Sequence, residues 1–489
     1  MNQTNYTEAA AATFGRMRLF IDGQWSEGGA AGEDLINPAN GQVLGRVPHA
    51  SAADLDRAVQ AASRAFEGWS RTPAMARRAI LLEAARLLRE RACVIARVLV
   101  MEQGKTLAEA QGELTGAIEC FEWYAEETRR LYGRSIPARA SGVRQLVEHV
   151  AVGPVAAFTP WNFPALTPAR KIAGALAAGC SLVIKPAEET PATCMELVRA
   201  CADAGLPPGV LNLVLGVPAE VSSTLIARPE IRKITFTGSI AVGKQLSTLA
   251  ARHGLKRCTL ELGGHAPVLV FEDAELEKAA AVCAAGRFRN AGQVCIAPSR
   301  FYVQSSVHDR FVELLAKAAD ALVLGDGLDA ATTMGPLLSA RRQHAMRAYV
   351  DDACARGGRI VTGGRVLPGQ GYFFLPTVIA GLPDEARAMR EETFGPIAPV
   401  VAFDSADEAL ARANALPYGL AAYAFTTSAR TMELVSSRLS SGMVGINHLG
   451  VSLAEAPFGG VRESGYGSEG GMEGLHAYLD TKFISTLVA

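Results

Sequence analysis

The feature that most constrains the fold is a series of short apolar runs between residues 150 and 240, separated by segments of helical periodicity. The runs lie at 153–158, 180–185, 209–216 and 233–238. Parallel strands need crossover connections of about a dozen residues or more, and strands covered on both faces are apolar throughout. The pattern therefore predicts a doubly wound α/β unit.

The flanking segments extend this prediction. Residues 17–48 contain short strand and turn signals, and 51–128 carry sustained apolar spacing typical of helices. A second α/β unit follows, with strands expected at 267–271 and 300–304. The chain closes on DTKFISTLV at 480–488, an extended segment that needs a partner strand in this chain or in another subunit.

Composition and charge exclude several classes of protein. With 48 basic and 49 acidic residues, the net charge of −1 gives no broad electrostatic footprint for nucleic acid or anionic lipid. No apolar run approaches about 18 residues, so we expect no membrane span, and the N-terminus lacks the pattern of a secretory signal. The nine cysteines form no CxxC pair and the eight histidines no HExxH, which predicts a cytoplasmic chain without a metal site.

A phosphate-binding turn is one interpretation of residues 234–239. The strand signal ITFT runs into Gly238 and Ser239, where a helix is predicted to begin, and the N–H groups of a helix start bind phosphate. The stretch GSIAVGK at 238–244 also matches the GxxxxGK of a nucleotide triphosphatase, but Gln245 stands where Ser or Thr must reach magnesium. A plain strand–helix connection is the alternative.

Two further motifs follow predicted strand ends. In TPWNFP at 159–164, two prolines and two aromatic residues would hold the Asn162 amide rigidly, as oxyanion stabilisation requires. A rigid turn is the simpler reading. In KPAEE at 185–189, Lys185 and Glu188 could bind ribose hydroxyls at the carboxyl end of a strand, or form a solvated surface pair.

Three loops contain candidate reactive groups. Cys295, in FRNAGQVCIAPSR, has arginines on both sides, and nearby positive charge lowers a thiol pKa. The alternative is a buried structural cysteine. Glu261, in LELGGH, lies among apolar residues, where burial raises the pKa of a carboxyl group and suits it to act as a base. EETFGP at 391–396 is a third acidic loop.

Taken in order, TPWNFP, KPAEE, FTGS, ELGG, GQVC and EETFGP resemble the aldehyde dehydrogenase superfamily, from about residue 18 to the end. The closing PFGGVRESGYGSEGG…YLDTKF is most similar to the branch of succinate-semialdehyde and 2-oxoglutarate-semialdehyde dehydrogenases. The resemblance implies an NAD(P)-dependent, non-acylating aldehyde dehydrogenase. Since Glu261 supplies a base for hydrolysis, it argues against release of the product to coenzyme A.

The resemblance also implies the catalytic roles. Cys295 would attack the aldehyde to form a thiohemiacetal, and Asn162 with the Cys295 backbone N–H would form the oxyanion hole. After hydride transfer to the nicotinamide, Glu261 would activate water to hydrolyse the thioester. Lys171 matches a family lysine that supports proton handling.

By the same resemblance, the cofactor contacts a set of residues at strand ends and loops: Thr159, Pro160, Trp161, Lys185, Glu188, Gly238, Ser239, Leu262, Glu392 and Phe394. Lys185 and Glu188 would bind the adenine ribose. A carboxylate at 188 should accept the ribose 2′-OH and repel a 2′-phosphate, so we predict that NAD is preferred and NADP is less favoured.

Arg170 and Arg289 match arginines that semialdehyde enzymes use to bind the substrate carboxylate, a bidentate interaction that suits arginine. The substrate expected first is succinic semialdehyde. 2-Oxoglutarate semialdehyde and a broad specificity are the alternatives. Ala297 stands where some relatives have a second cysteine, so a disulfide switch of that type is not expected.

The fold implied by the resemblance has two doubly wound α/β domains and a small β bridging element. It places a dinucleotide-binding domain at 1–130 and 150–257, a catalytic domain at 258–456, and the bridging element at 131–149 and 457–489. This organisation implies a homodimer or homotetramer that binds a small aldehyde, and neither nucleic acid nor membrane.

Overall fold

The computed structural model describes residues 3–488 as an α/β structure with two large sheets. Its helices are α1 Gln3–Phe14, α2 Ala52–Trp69, α3 Ala74–Glu90, α4 Ala92–Gln103, α5 Leu107–Glu127, α6 Leu166–Ala178, α7 Pro191–Asp203, α8 Pro218–Ala227, α9 Ile240–Arg252, α10 Leu276–Phe288, α11 His308–Asp320, α12 Ala340–Ala355, α13 Arg387–Arg390, α14 Ala406–Asn414, α15 Ala429–Arg438 and α16 Gly471–His476. Its strands are β1 Leu19–Ile21, β2 Gln24–Ser26, β3 Ala30–Ile36, β4 Val43–His49, β5 Arg134–Ile136, β6 Val143–Ala151, β7 Val155–Phe158, β8 Leu182–Lys185, β9 Leu211–Leu213, β10 Lys233–Thr237, β11 Arg257–Glu261, β12 Pro267–Val270, β13 Arg300–Gln304, β14 Arg359–Thr362, β15 Thr377–Ala380, β16 Ile397–Phe403, β17 Ala421–Phe425, β18 Met443–Ile446, β19 Gly465–Tyr466 and β20 Leu479–Leu487.

The first sheet has the strand order β19-β11-β10-β7-β8-β9-β1-β2. Strands β11, β10, β7, β8 and β9 are parallel, and the last four of these contain the apolar runs that the sequence marks between 150 and 240. Each of these runs forms a strand shorter than the run itself, because its outer residues belong to the turns. The predicted doubly wound unit is confirmed.

The second sheet has the order β14-β15-β16-β13-β12-β17-β18, and all its strands are parallel except β14. It includes both strands predicted from residue 267 onward. The terminal strand β20 pairs with β6 of the same chain in a third, antiparallel sheet that also contains β5. The predicted α/β fold is thus observed, and the domain boundaries stay a prediction.

Local sequence signals explain several element ends. Ser51 and Asp54 form the capping box expected at the start of α2, and Thr106 with Glu109 forms another at the start of α5. Each large sheet has its own hydrophobic core, in which alanine, leucine and valine predominate. Within residues 3–488, no helix is both long enough and apolar enough to cross a bilayer.

Candidate active site

A cavity of about 1020 Å³ lies at the carboxyl ends of β10 and β11 and is lined by side chains of both large cores. Cys295, Glu261 and Asn162 all face it, as do Arg170 and Arg289. The carboxyl edge of a parallel sheet is where α/β proteins bind their ligands. The structure therefore brings five of the predicted site residues into one enclosed space.

Cys295 is presented to the cavity by a strained turn. Asn290 and Ala291 both adopt left-handed backbone conformations with φ of 51°. Gly292 follows with φ of 74°, and a Cβ there would lie 2.3 Å from the carbonyl oxygen of Gly395. Cys295 is partly exposed, and the described residues offer its backbone N–H no acceptor. That N–H is available to an oxygen bound in the cavity.

Asn162 is held by hydrogen bonds at both ends of the residue. Its Nδ2 donates to the carbonyl oxygen of Gln293 at 3.0 Å. Its own carbonyl oxygen accepts from Lys105 Nζ at 2.9 Å and from Asn290 Nδ2 at 3.0 Å. The side chain is therefore fixed relative to the cysteine loop, which is the rigidity that an oxyanion donor needs.

The residues that fix Asn162 belong to a buried polar network that sequence reasoning missed. Lys105 pairs with Glu113 Oε2 at 2.5 Å, and the other oxygen of Glu113 accepts the backbone N–H of Ala165 at 2.7 Å and that of Leu166 at 3.1 Å. Gln103 Nε2 donates to Asn290 Oδ1 at 2.8 Å. The available signal was the polar stretch EQGKT at 102–106 inside an otherwise apolar helical region.

Arg287 is a second residue that the sequence did not mark. Its guanidinium is buried and donates to the carbonyl oxygens of Gly292 and Pro298, one on each side of Cys295, and to that of Gly395 in the loop of Glu392. In the part of the chain that the structure describes, no carboxylate oxygen lies within 4.0 Å of this guanidinium. Arg287 therefore joins the cysteine loop to the EETFGP loop.

Glu261 ends strand β11 with only 1% of its surface exposed. Neither of its carboxylate oxygens has a hydrogen-bond partner among the described residues. Burial, reinforced by the nearby carboxylate of Glu469, raises the pKa of Glu261 well above its usual range, although Lys171 and Arg170 oppose the shift. A carboxylate whose pKa is raised is a stronger base than an ordinary one.

Lys171 lies in helix α6 and is fully buried. Its Nζ donates to Thr237 Oγ1 at 2.8 Å, to Thr235 Oγ1 at 3.2 Å and to the carboxylate of Glu469. The predicted lysine therefore acts on Glu261 through its charge and holds Glu469 in place.

The thiol of Cys295 does not have the lowered pKa that its neighbouring arginines led us to expect. Burial and the carboxylate of Glu392 raise the pKa to about 12, and Arg170 and Arg289 offset only part of this. The other flanking arginine, Arg300, is directed away and donates to the carbonyl oxygens of His265 and Ala413. The expectation was wrong because desolvation of the thiolate outweighs the charges around it.

Arg170 and Arg289 supply positive charge to the cavity. Neither has a carboxylate within 4.0 Å in residues 3–488. Arg170 is 5% exposed, donates to Ser452 Oγ at 2.8 Å and lies 4.2 Å from the ring centre of Phe458. Arg289 is exposed at the rim and lies 5.6 Å from the ring centre of Phe163. Two uncompensated arginines can bind an anion.

Most of the predicted cofactor contacts line the same cavity: Pro160, Trp161, Gly238, Ser239, Leu262, Glu392 and Phe394. Ser239 caps α9 and accepts the N–H of Val242 at 3.4 Å, so the helix start opens at the cavity. The ring of Trp161 packs edge-on against Phe394 at 5.4 Å. Burial raises the pKa of Glu392 to about 7, and its Oε1 accepts the N–H of Gly264.

The remaining three predicted contacts lie beside the cavity at adjacent strand ends. Lys185 Nζ donates to Glu188 Oε2 at 2.6 Å, and Thr159 N donates to the carbonyl oxygen of Lys185 at 3.2 Å. Thr159 Oγ1 is buried without a hydrogen-bond partner in the described part of the chain. An unpaired hydroxyl beside a Lys–Glu pair, next to an open helix start, fits a dinucleotide with its ribose and phosphate groups. Metal-site geometry, by contrast, is absent from residues 3–488.

Comparison with known proteins identifies the protein family to which this fold and this site belong. The pattern of the aldehyde dehydrogenase family matches residues 25–484, and the chain belongs to that family. It is accordingly an NAD(P)-dependent aldehyde dehydrogenase, as the sequence motifs predicted.

Individual relatives span nearly the whole chain. A putative 4-(hydroxymethyl)benzenesulfonate dehydrogenase of Comamonas testosteroni is 51% identical over 95% of this chain and 97% of its own length. The NADP-dependent succinate-semialdehyde dehydrogenase GabD of Escherichia coli is 42% identical over 96% and 97%. The crystal structure of a Burkholderia pseudomallei succinate-semialdehyde dehydrogenase superposes with a TM-score of 0.95 at 40% identity, covering 97% of this chain and 99% of that one.

Proposed function

We propose that this enzyme oxidises a short aldehyde that carries a carboxylate at its far end, with succinic semialdehyde as the first candidate and NAD as the preferred cofactor. The observation that carries the proposal is the pair of arginines, Arg170 and Arg289, that line the cavity of Cys295 without a carboxylate partner. An arginine that lines a cavity with no carboxylate within 4.0 Å is suited to a substrate that brings its own negative charge.

The relatives support an anionic substrate. Two of those described above are named for succinate semialdehyde, which carries a carboxylate, and another for a benzenesulfonate. The compounds in these names all carry a negatively charged group, but they differ in the carbon skeleton that bears it. For the same reason 2-oxoglutarate semialdehyde and a broad specificity remain the alternatives to succinic semialdehyde.

In the proposed mechanism, Cys295 attacks the carbonyl carbon. The thiol must lose its proton as the C–S bond forms, because its pKa of about 12 leaves little thiolate at neutral pH. Glu261 has a raised pKa and two unpaired oxygens, which suits it to take that proton. The N–H groups of Asn162 and of Cys295 itself would stabilise the oxyanion of the thiohemiacetal.

The second half of the reaction releases the product. The bound dinucleotide, when present, supplies a hydride acceptor for the aldehyde carbon. Cys295 then holds a thioester, and Glu261, once it has released the thiol proton to solvent, draws a proton from the water that hydrolyses the thioester. Lys171 remains fixed behind Glu261 and offsets its negative charge, whereas the carboxylate of Glu469, which Lys171 holds, opposes the ionisation of Glu261.

The arginines are tested by a panel of succinic, glutaric and 2-oxoglutaric semialdehydes together with an uncharged aldehyde. We expect Arg170→Ala and Arg289→Ala to raise KM for succinic semialdehyde at least tenfold and to change the uncharged aldehyde far less. Arg347→Ala, an exposed arginine outside the cavity, is the matched control. Equal losses on charged and uncharged aldehydes would contradict the proposal.

Cofactor preference is tested at Glu188. Its carboxylate pairs with Lys185, next to the unpaired hydroxyl of Thr159, so we expect it to accept a ribose 2′-OH and to repel a 2′-phosphate. The ratio of kcat/KM for NAD to that for NADP should exceed one in the wild type and fall at least tenfold in Glu188→Ser. A wild-type enzyme that prefers NADP would overturn this part of the proposal.

A further inference from the structure

A second cavity, of about 810 Å³, lies away from the active site. It is bounded by the end of α2, the start of α3, the turn that follows α5, and strands β6 and β20. It shares no lining residue with the active-site cavity. Ala178, which lines it, ends helix α6, and α6 runs from the carboxyl end of β7 back to the amino end of β8. The second cavity therefore lies at the amino edge of the first sheet, opposite to the edge where the active site opens.

The charge on the wall of this cavity has one sign. None of its lining residues is aspartate or glutamate, and four are cations: Arg71, Arg77, Arg129 and Lys482. Of these four, only Arg129 has a carboxylate within 4.0 Å in residues 3–488. That carboxylate belongs to Glu126, lies at 3.9 Å, and also accepts from Arg78. The cavity therefore presents positive charge that the chain itself does not neutralise.

Arg77 is the buried member of this set, with 7% of its surface exposed. Its Nε donates to the carbonyl oxygen of Ala177 at 3.1 Å, and its Nη1 donates to that of Thr72 at 2.6 Å. The remaining nitrogen, Nη2, keeps access to the cavity and has no acceptor in the part of the chain that the structure describes. Two bonds thus hold the guanidinium in one orientation and leave its third nitrogen for an anion.

The start of helix α3 adds backbone donors to the same wall. Ala74 and Met75, its first two residues, line the cavity, and the residue before them is Pro73, which supplies no side-chain cap. The N–H groups of Ala74 and Met75 find no acceptor within residues 3–488. The first N–H groups of a helix, together with the positive end of its dipole, favour an oxyanion. Arg77 lies in this same first turn, so side-chain and backbone donors belong to one short segment.

Apolar side chains complete the cavity. Phe66, Met75, Leu131 and Val150 line it together with the cations. A phosphate group alone does not need a cavity of this size or an apolar surface. The combination suits a ligand in which a small organic body carries the anionic group.

We propose that this cavity is a binding site for phosphate-type anions, with Arg77 and the start of α3 as the main contacts and Arg71 and Lys482 as additional charge at its mouth. The ligand class is a phosphate with two or more negative charges, free or carried by a small organic molecule. Because this site and the active site share no residue, its occupation does not depend on which aldehyde the enzyme oxidises or on which dinucleotide it prefers.

The test is a calorimetric titration of the purified enzyme in its native oligomeric state, with saturating NAD(P) present so that the dinucleotide site is filled. The probes are orthophosphate, pyrophosphate and phenyl phosphate at constant ionic strength. Arg77→Met removes the buried contact. The double variant Arg71→Gln/Lys482→Gln removes two exposed charges, so it retains the fold if Arg77→Met does not.

Two control variants locate the binding. Arg289→Ala removes a cation from the active-site cavity, and Arg347→Gln removes an exposed arginine that lies outside both cavities. Neither should change the Kd of any probe more than about twofold.

At least one probe should bind the wild type saturably, one per subunit, with a Kd below about 1 mM. The Kd should rise at least tenfold in Arg77→Met, which loses a hydrogen bond to a charged group, and at least threefold in the double variant. Tightest binding of pyrophosphate would identify a free phosphate as the ligand, and tightest binding of phenyl phosphate an organic one. Absence of saturable binding up to about 10 mM of every probe would overturn the proposal. Binding that is lost in Arg289→Ala and retained in both variants of the second cavity would overturn it as well.

Discussion

The buried pair of Lys105 and Glu113 offers a quantitative test of how the active site is held. Both side chains are 1% exposed, and their charged atoms are 2.5 Å apart. In Glu113→Gln, the amide oxygen can still accept the N–H groups of Ala165 and Leu166 at the start of α6, but Lys105 loses its carboxylate. The substitution therefore isolates the charge of the pair from its capping role.

The expected loss is large. Breaking a buried ion pair by removing one partner costs about 3–5 kcal/mol, since it leaves an unpaired charge in the interior. With an unfolding entropy of about 2.1 cal/mol/K per residue, or ~1 kcal/mol/K for 489 residues, the melting temperature should fall by about 3–5 °C. Glu122→Gln is the control on the same helix. Its exposed pair with Arg89 should contribute no more than about 1 kcal/mol. The double variant Lys105→Met/Glu113→Gln removes both charges and should recover at least half of the loss.

The pH dependence of stability provides a second measurement on the same ion pair. Burial lowers the pKa of Lys105, and Glu113 pulls it back up, so the pKa falls further in Glu113→Gln. Between the lowered pKa of Lys105 in the folded variant and the unfolded pKa of about 10.4, the unfolded chain binds more protons than the native state, and stability rises with pH. The difference in stability between the wild type and Glu113→Gln, measured by thermal melts, should decrease between pH 7 and 9.5. A deficit independent of pH, or a double variant no more stable than Glu113→Gln, would refute this account.

Three further predictions concern the reacting groups. Glu261→Gln should lower kcat about 10²–10⁴-fold, because Glu261 is the proposed base in both halves of the reaction; unchanged turnover would contradict the base role. Because the pKa of Glu261 is raised and its ionised form is needed, wild-type kcat should rise with pH above the range in which an ordinary carboxyl group titrates, and a kcat that has already reached its plateau within that range would be inconsistent with this. Arg287→Lys cannot reach all the carbonyl oxygens that the guanidinium joins, so kcat should fall at least tenfold, whereas Cys354→Ala, at an exposed cysteine, should leave it unchanged.

The parts of the molecule that sequence predicted well are those governed by local patterns. The apolar run at 233–238 and the Ser239 that follows it became strand β10 and the cap of α9, because strand hydrophobicity and helix capping are properties of neighbouring residues. The motifs around Asn162, Glu261 and Cys295 likewise marked three side chains that line one cavity. Their proposed catalytic roles remain predictions, and that of Glu261 is tested by the substitution above.

The parts that sequence did not predict depend on residues far apart in the chain. Gln103 meets Asn290 across 187 positions, and Asn162 meets Gln293 across 131. No local sequence pattern indicates which distant residues will be such partners. The pKa of Cys295 was misjudged for a related reason: neighbouring arginines are visible in the sequence, whereas the extent of burial is set by the tertiary structure.

These long-range contacts involve few polar residues, and the relative position of the site's side chains depends on them. Glu261 belongs to the first sheet and Cys295 packs against the core of the second, so their relative position is set by the contacts between the two halves. Asn290 provides several of these contacts: its amide reaches Asn162 and Gln103, and its backbone N–H donates to Glu109 Oε1 at 2.7 Å. A single asparagine in a left-handed conformation thus connects α4, α5 and the loop of Asn162 to the turn that presents Cys295. The placement of Cys295 against Asn162 follows from this junction more than from either core.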